Sequence, residues 1–188
     1  MDLINTHMTK KLSEMTLEEL WQLFPITLTE HSDCWEEYYR FEASELKKLL
    51  PEGTKIHHIG STAVAGIWAK PIVDILVEVE KGANLAEVGA VLQSDGWLEM
   101  SASDFRRSFN KGYTEKGFAD RVFHLHLRYL GDNDELYFRD YLISHPEVAK
   151  EYERLKLGLW KKFEHDRDGY TAAKSDFIKK YTDLAKGG

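Results

Sequence analysis

Apolar residues recur at two different periods along this chain, and the changes of period outline its elements. Leu17, Leu20, Trp21 and Leu23 follow the capping-box sequence Thr16-Leu17-Glu18-Glu19 at helical spacing, and Pro25 ends that short helix. A second helix is predicted from about 33 to 50, with Trp35, Tyr38, Tyr39, Phe41, Leu46, Leu49 and Leu50 on its apolar stripe and Pro51-Glu52-Gly53 after it. Lys55 to Ile59 reads as a short strand. Pro71 then opens a longer one, to Val79, whose nearly continuous apolar run suits a strand covered on both faces. A helix from Asn84 to Ser94 stops at Gly96. Further strands are predicted at 97–100, 106–110 and 122–130. In the last of these, strict alternation puts His124, His126 and Arg128 on one face. From about Glu135 the pattern turns helical. Ser144-His145-Pro146-Glu147 has capping-box spacing, Val148, Tyr152, Leu155, Leu159 and Phe163 continue one face, and a last helix runs from about Tyr170 to Leu184.

No repeat, low-complexity tract or clear linker interrupts this order. With 188 residues, 43% of them hydrophobic, the chain has material for one domain. The expected architecture is α+β (α/β): a small mixed sheet with helices before, within and after it. Residues 1–30 form an N-terminal helical extension, 31–188 a single domain, and about 135–188 its helical C-terminus.

Charge narrows the function. A net charge of −7 argues against a dedicated nucleic-acid binder, which carries a basic face. The single cysteine, Cys34, allows no internal disulfide and no zinc-ribbon pattern, which suits a reducing cytoplasm. Met1-Asp2-Leu3-Ile4-Asn5 lacks the basic and apolar regions of a signal peptide. No apolar run is long enough to span a membrane.

The segment from Ile59 to Val77 carries the strongest chemical signal. An apolar stretch ends at Gly60-Ser61, and twelve residues separate that turn from Asp74, the only early charge in an apolar strand. Such a charge is expensive without a partner. Asp74 is either paired with a nearby cation such as Lys70, or a ligand for Mg²⁺ or Mn²⁺. Gly60-Ser61 is either a strand-ending turn, or a phosphate cradle in which the serine hydroxyl and backbone amides donate. His124 and His126 are either satisfied strand histidines, or a pair facing one metal or one anion. His57 and His58 point to opposite faces, so at most one faces the site. Between Asp104 and Arg128 six cations, including Arg106 and Arg107, face three acids. One of those two arginines could clamp a phosphate bidentately, whereas Lys111 and Lys116 equally suit solvated strand edges. Arg139-Asp140 and the charges of the late helices read as solvated and structural, the Trp35–Tyr39 stripe as core, and Cys34 has no base to activate it.

Several of these segments, in this order, resemble the GrpB family, which is assigned to the nucleotidyltransferase superfamily with the DNA polymerase β-like transferases. They are His58-Ile59-Gly60-Ser61-Thr62-Ala63-Val64, Lys70-Pro71-Ile72-Val73-Asp74-Ile75, His124-Leu125-His126, Phe138-Arg139-Asp140-Tyr141-Leu142 with His145-Pro146-Glu147 and Tyr152, and Tyr170-Thr171-Ala172-Ala173-Lys174. The likeness covers roughly residues 31–184 and implies a nucleotidyltransferase-like fold. In the superfamily pattern the Gly-Ser turn holds nucleotide phosphates, and two acids flanking one apolar residue, with a third on a later strand, bind two Mg²⁺ ions. Gly60, Ser61 and Asp74 match. Leu76 stands where the second acid belongs, and Glu78 lies about 6–7 Å further along the strand. The third acid has no clear counterpart, and His124 and His126 stand in that region. Ala65 replaces a proline usual in the family.

The resemblance therefore implies metal-dependent transfer of a nucleotidyl group from a nucleoside triphosphate to an unidentified small-molecule or protein acceptor. Asp74 is the catalytic and metal-binding acid in that scheme, with His124 and His126 beside it on the metal. Gly60, Ser61, Thr62, Lys70, Arg106 and Arg107 hold phosphate. Family context also implies a link to coenzyme A metabolism. Two other readings stay open: a nucleotide- or phosphate-binding module without turnover, and a metal-dependent hydrolase using Asp74, His124 and His126.

Overall fold

A computed structural model of the protein describes residues 10–187. The Met1–Asn5 segment, read above for targeting signals, lies outside the described residues. Helix α1 (Leu17–Leu23) starts at the capping box read from sequence: the Thr16 hydroxyl accepts from the Glu19 amide, and Glu19 reaches back to the Thr16 amide. Helix α2 (Cys34–Leu49) precedes strand β1 (Lys55–Ile59), and a 3-10 turn, Ser61–Ala63, leads to strand β2 (Val73–Val79). Helix α3 (Leu85–Ser94) is capped by the Asn84 side chain, which accepts from the Ala86 and Glu87 amides. Strands β3 (Leu98–Ala102), β4 (Arg106–Thr114) and β5 (Gly117–Tyr129) follow, then helices α4 (Asp134–Ser144), α5 (Pro146–Trp160), α6 (Arg167–Ala172) and α7 (Ser175–Gly187).

The five strands form one sheet in the order β1-β2-β5-β4-β3. Only β2 and β5 run parallel; the other neighbours are antiparallel. Strand pleating divides β2 cleanly. Val73, Ile75, Val77 and Val79 face α2 and α3 and join Trp35, Leu46, Leu92, Phe109 and Leu125 in the main core. Each such fully buried aliphatic contributes roughly 1.5–3 kcal/mol. Asp74, Leu76 and Glu78 face the other way. That second face is covered by the late helices, whose own core joins Val64 and Ile67 to Phe138, Leu142, Val148, Tyr152 and Tyr181. Both faces of β2 are therefore covered, as its apolar run requires. Among the described residues no helix is long and apolar enough to cross a membrane.

Several sequence expectations change in detail. β4 and β5 extend into a hairpin through Glu115-Lys116, where Tyr113 and Phe118 pack on Phe24 with ring centroids 4.7 and 5.0 Å away. These aromatics stabilise a stretch whose polar sequence signals a strand end. Ser144 does not cap α5. His145 holds that position, and the Ser144 hydroxyl instead donates to the Asp140 and Tyr141 carbonyls. The last helix is two helices, α6 and α7, separated at Ala173-Lys174.

Candidate functional site

The β1–β2 pairing places Ile59 opposite Asp74, so the chain leaves β1 at Gly60 directly beside the Asp74 carboxylate. Gly60 has φ 72°, and a Cβ built there would lie 2.5 Å from Asp74 Oδ2. Only glycine fits this close approach in this conformation. The spacing noticed in the sequence therefore has a geometric cause: the link from Ser61 to Lys70 loops away and returns to set the acid against the turn.

Parallel pairing of β2 with β5 puts Asp74 opposite His124 and Leu76 opposite His126. His124 Nδ1 is 3.3 Å from Asp74 Oδ1, and His126 Nε2 is 3.9 Å from the same oxygen. Burial pushes the Asp74 carboxyl up, but the two imidazoles beside it outweigh burial and hold it well below the usual carboxylate range. Burial lowers His124 despite its anionic neighbour. Its other nitrogen, Nε2, accepts from the Tyr113 hydroxyl at 2.8 Å, and Tyr113 accepts from Arg167 Nη1 at 2.7 Å. This run of contacts fixes His124 in orientation and leaves Asp74 Oδ2 directed at the turn.

These groups open into a cavity of about 490 Å³ between the sheet and the late helices. Gly60, Ser61, Thr62, Lys70, Asp74, His124 and His126 all line it. Seven of the residues singled out in sequence thus converge. Arg106 and Arg107 do not. Arg106 shares the cavity face of the sheet but forms a two-pronged pair with Asp132 at 2.7 and 2.5 Å. Arg107 points to the opposite face and pairs with Glu99 at 2.7 Å. These acids engage both arginines, so neither reaches the Gly60–Ser61 turn.

Besides Lys70, already singled out in sequence, the cations of the cavity come from the late helices. Lys156 on α5, Lys174 between α6 and α7, and Lys70 before β2 all line it. Lys156 is 2% exposed and donates to the Trp68 carbonyl. Burial, followed by repulsion from Lys174, lowers Lys70 and Lys156 to about 7, and burial lowers Lys174 to about 8. Lys174 Nζ and Lys70 Nζ lie 4.3 and 5.7 Å from the Tyr170 ring centre. Tyr170 is fully buried, and its hydroxyl has no hydrogen-bond partner among the described residues. Reading the late helices as solvated and structural misses these groups. A signal was present: Lys156 sits four residues after Tyr152, on the apolar stripe of α5, where a solvated lysine does not belong.

Crowding of these lysines has a thermodynamic sign. Their folded values lie below the unfolded value of about 10.4, so between about 7 and about 10 the unfolded chain binds more protons. Stability of the unliganded protein should therefore rise with pH through that window. Calorimetric melting between neutral pH and mild alkali checks this, and a falling melting temperature there contradicts it.

The acids that line the cavity, Asp74, Asp134 and Glu135, are not gathered round one point as two-metal chemistry requires. Leu76 is fully buried where the second acid would stand. Glu78 Oε1 accepts from the Gly131 amide and Asn133 Nδ2, and its other oxygen lies 3.0 Å from His57 Nε2. Glu78 is thereby committed to holding the β5–α4 turn. Among the described residues no three His, Cys, Asp or Glu side chains are arranged to hold a metal ion. Asp74 alone nevertheless suits Mg²⁺ or Mn²⁺ arriving with a phosphate ligand, because Mg²⁺ is commonly held by one carboxylate together with substrate phosphates and water.

Known proteins share this architecture. A family model described as "GrpB protein" matches residues 25–184. Glutamate-rich protein GrpB of Alkalihalophilus pseudofirmus is 37% identical over 160 residues, covering 81% of this chain and 91% of that protein. UPF0157 protein YqkA of Bacillus subtilis is 30% identical over 185 residues, covering 95% of this chain, which spans only 53% of that relative's length. The crystal structure of conserved protein GrpB from Enterococcus faecalis superimposes with a TM-score of 0.73 at 31% identity, over 85% of this chain and 96% of that one. A poly(U) polymerase solved with MgGTP matches with a TM-score of 0.51 at 11% identity, over 75% of this chain and 44% of the polymerase. That last likeness concerns the fold alone and gives it as nucleotidyltransferase-like. With its family model matched over most of its length, the chain belongs to the GrpB family.

Proposed function

We propose that the cavity binds the triphosphate of a nucleoside triphosphate and that the protein transfers the nucleotidyl group to a small-molecule or protein acceptor. The carrying observation is the meeting of the Gly60–Ser61 turn, the ionised Asp74 and three buried or half-buried lysines in one cavity. Lysines held near neutrality by burial regain their full charge when a polyanion enters, so the cavity is built to take one. The Tyr170 hydroxyl, without a hydrogen-bond partner among the described residues, supplies one further donor. Likeness in fold to a polymerase described with MgGTP supports the same ligand class.

In this reading the turn positions the α-phosphate beside Asp74, and Lys70, Lys156 and Lys174 neutralise the β- and γ-phosphates. An acceptor oxygen or nitrogen forms the new bond to the α-phosphorus as its proton passes to solvent, the bond from the α-phosphorus to the α–β bridging oxygen breaks, and pyrophosphate leaves against the lysines. Asp74 Oδ2 would hold the divalent cation, which when bound supplies charge neutralisation at the phosphates. His124 and His126 keep Asp74 ionised and oriented.

Incubation with α-labelled nucleoside triphosphates, Mg²⁺ or Mn²⁺ and candidate acceptors tests this. Transfer of label by the wild type, reduced at least about 100-fold in Asp74→Asn, is the expected result. A binding module without turnover is the second reading, favoured by Leu76 and by the engagement of Glu78. Thermal stabilisation by nucleotide without any transfer would select it.

A further inference from the structure

A chain of three side chains runs behind the phosphate turn and has no part in the reaction outlined above. His58 is opposite Ile75 in the β1–β2 pairing, so it points to the sheet face away from Asp74. Its ring stacks on Tyr39, with centres 4.7 Å apart and 16° between planes. Nδ1 lies 3.1 Å from Glu36 Oε2 on α2, and Nε2 lies 2.9 Å from Thr62 Oγ1. Thr62 is 3% exposed, follows Ser61 in the turn, and lines the cavity. Arg139 Nη1 donates to the His58 carbonyl at 2.8 Å and fixes the backbone there. On the outer side, Glu36, Tyr39, His58 and Arg139 border a separate hollow of about 290 Å³, which gives this chain contact with solvent.

The tautomer follows from the partners. Glu36 is held below the usual carboxylate range: burial raises it, but His58 and Arg40 together lower it more, so it can only accept. His58 Nδ1 therefore carries a hydrogen. When His58 is neutral its Nε2 has only a lone pair, and the Thr62 hydroxyl must donate to it. Thr62 then has no hydrogen left for a ligand. When His58 is cationic, Nε2–H donates to Thr62 Oγ1 and the hydroxyl hydrogen is freed toward the turn.

We propose that Glu36 and His58 are positioning residues for the phosphate turn: an entering phosphate takes the Thr62 hydroxyl hydrogen bond, and His58 binds one proton from solvent as it does so. This rests on the phosphate reading of the cavity. No heavy-atom bond is made or broken, and the balance is one proton taken up with the anion. The charged groups whose fields reach His58 are Glu36 from α2, Arg139 from α4 and, from the other face of β2, Asp74. Burial and Arg139 keep it neutral in the empty protein, while the two carboxylates and the arriving anion favour the cation.

Titration calorimetry with inorganic tripolyphosphate, in two buffers of different ionisation enthalpy near neutral pH, counts the protons taken up. The lysines contribute to this count in every variant, so the difference between variants is decisive. The wild type should take up about one proton more than His58→Gln or Thr62→Val. Thr62→Val should also bind about tenfold more weakly, and Thr62→Ser should restore both quantities. If His58→Gln fails to fold, Thr62→Val, which keeps the shape of the side chain, still decides. Equal uptake in variants that all bind tripolyphosphate overturns the relay and leaves the phosphate reading standing. Absence of binding by the wild type overturns both.

Discussion

Replacing Gly60 by alanine is expected to destabilise the protein by about 1–3 kcal/mol and to reduce nucleotidyl transfer about 100-fold or more. Both effects have one origin. A residue with a Cβ is strained at φ 72°, and that Cβ would sit 2.5 Å from Asp74 Oδ2, 3.1 Å from its Cγ and 3.2 Å from its Cβ. The carboxylate must turn away, which breaks its approach to His124 and His126 and removes it from the turn. Denaturant melts measure the first effect and label transfer the second. Nucleotide binding separates them further, because a variant folded at the assay temperature yet inactive shows that displacement of the acid, and not unfolding, is responsible. An alanine variant with wild-type stability and transfer would show that the close approach of turn and acid is unimportant.

Replacing Lys156 by methionine is expected to weaken tripolyphosphate binding by about 10- to 100-fold while leaving the empty protein as stable as the wild type, or more so. Lys156 is buried, crowded by Lys174 and Lys70, and lowered to about 7, so in the empty state its charge opposes folding. Methionine keeps the length and apolar stem and removes the charge, at the loss of one hydrogen bond to the Trp68 carbonyl. Lys161→Met is the control, since Lys161 is exposed and pairs with Glu164 at 2.9 Å. Opposite signs for stability and affinity at Lys156, with neither changed at Lys161, distinguish a ligand-binding lysine from a structural one. Unchanged affinity in Lys156→Met, measured by calorimetry, would remove this lysine from the site.

The parts of the molecule visible in the sequence are those encoded locally. The apolar run of β2 announces a strand covered on both faces, and its interruption by Asp74 marks the one position where covering is incomplete. Alternation along β5 places His124 and His126 on one face without knowledge of the neighbouring strands. Gly60 and Asp74 are linked in sequence because a short loop joins the Gly-Ser turn to the strand that pairs directly beside it.

What lies hidden depends on long-range packing. Lys156 and Lys174 have charges at helical spacing, and such spacing is the same whether a helix face meets water or a cavity. Only the docking of α5 and α6 against the sheet decides which it is. Arg106 and Arg107 mislead for the converse reason. Their positive charge is real, but Asp132 and Glu99 are 26 and 8 residues away in the chain and meet them only after folding. The Glu36–His58–Thr62 chain joins a helix, a strand and a turn, and no single window of sequence contains it.

A crystal structure with a non-hydrolysable nucleoside triphosphate and Mn²⁺, located by its anomalous scattering, bears most directly on the claim that one cavity holds phosphate and cation together. The expected density has the triphosphate against Gly60 and Ser61 with its outer phosphates among Lys70, Lys156 and Lys174, and Mn²⁺ bonded to Asp74. Nucleotide bound elsewhere on the protein, or Mn²⁺ and triphosphate held at separate places with Asp74 still closed against His124, would contradict it.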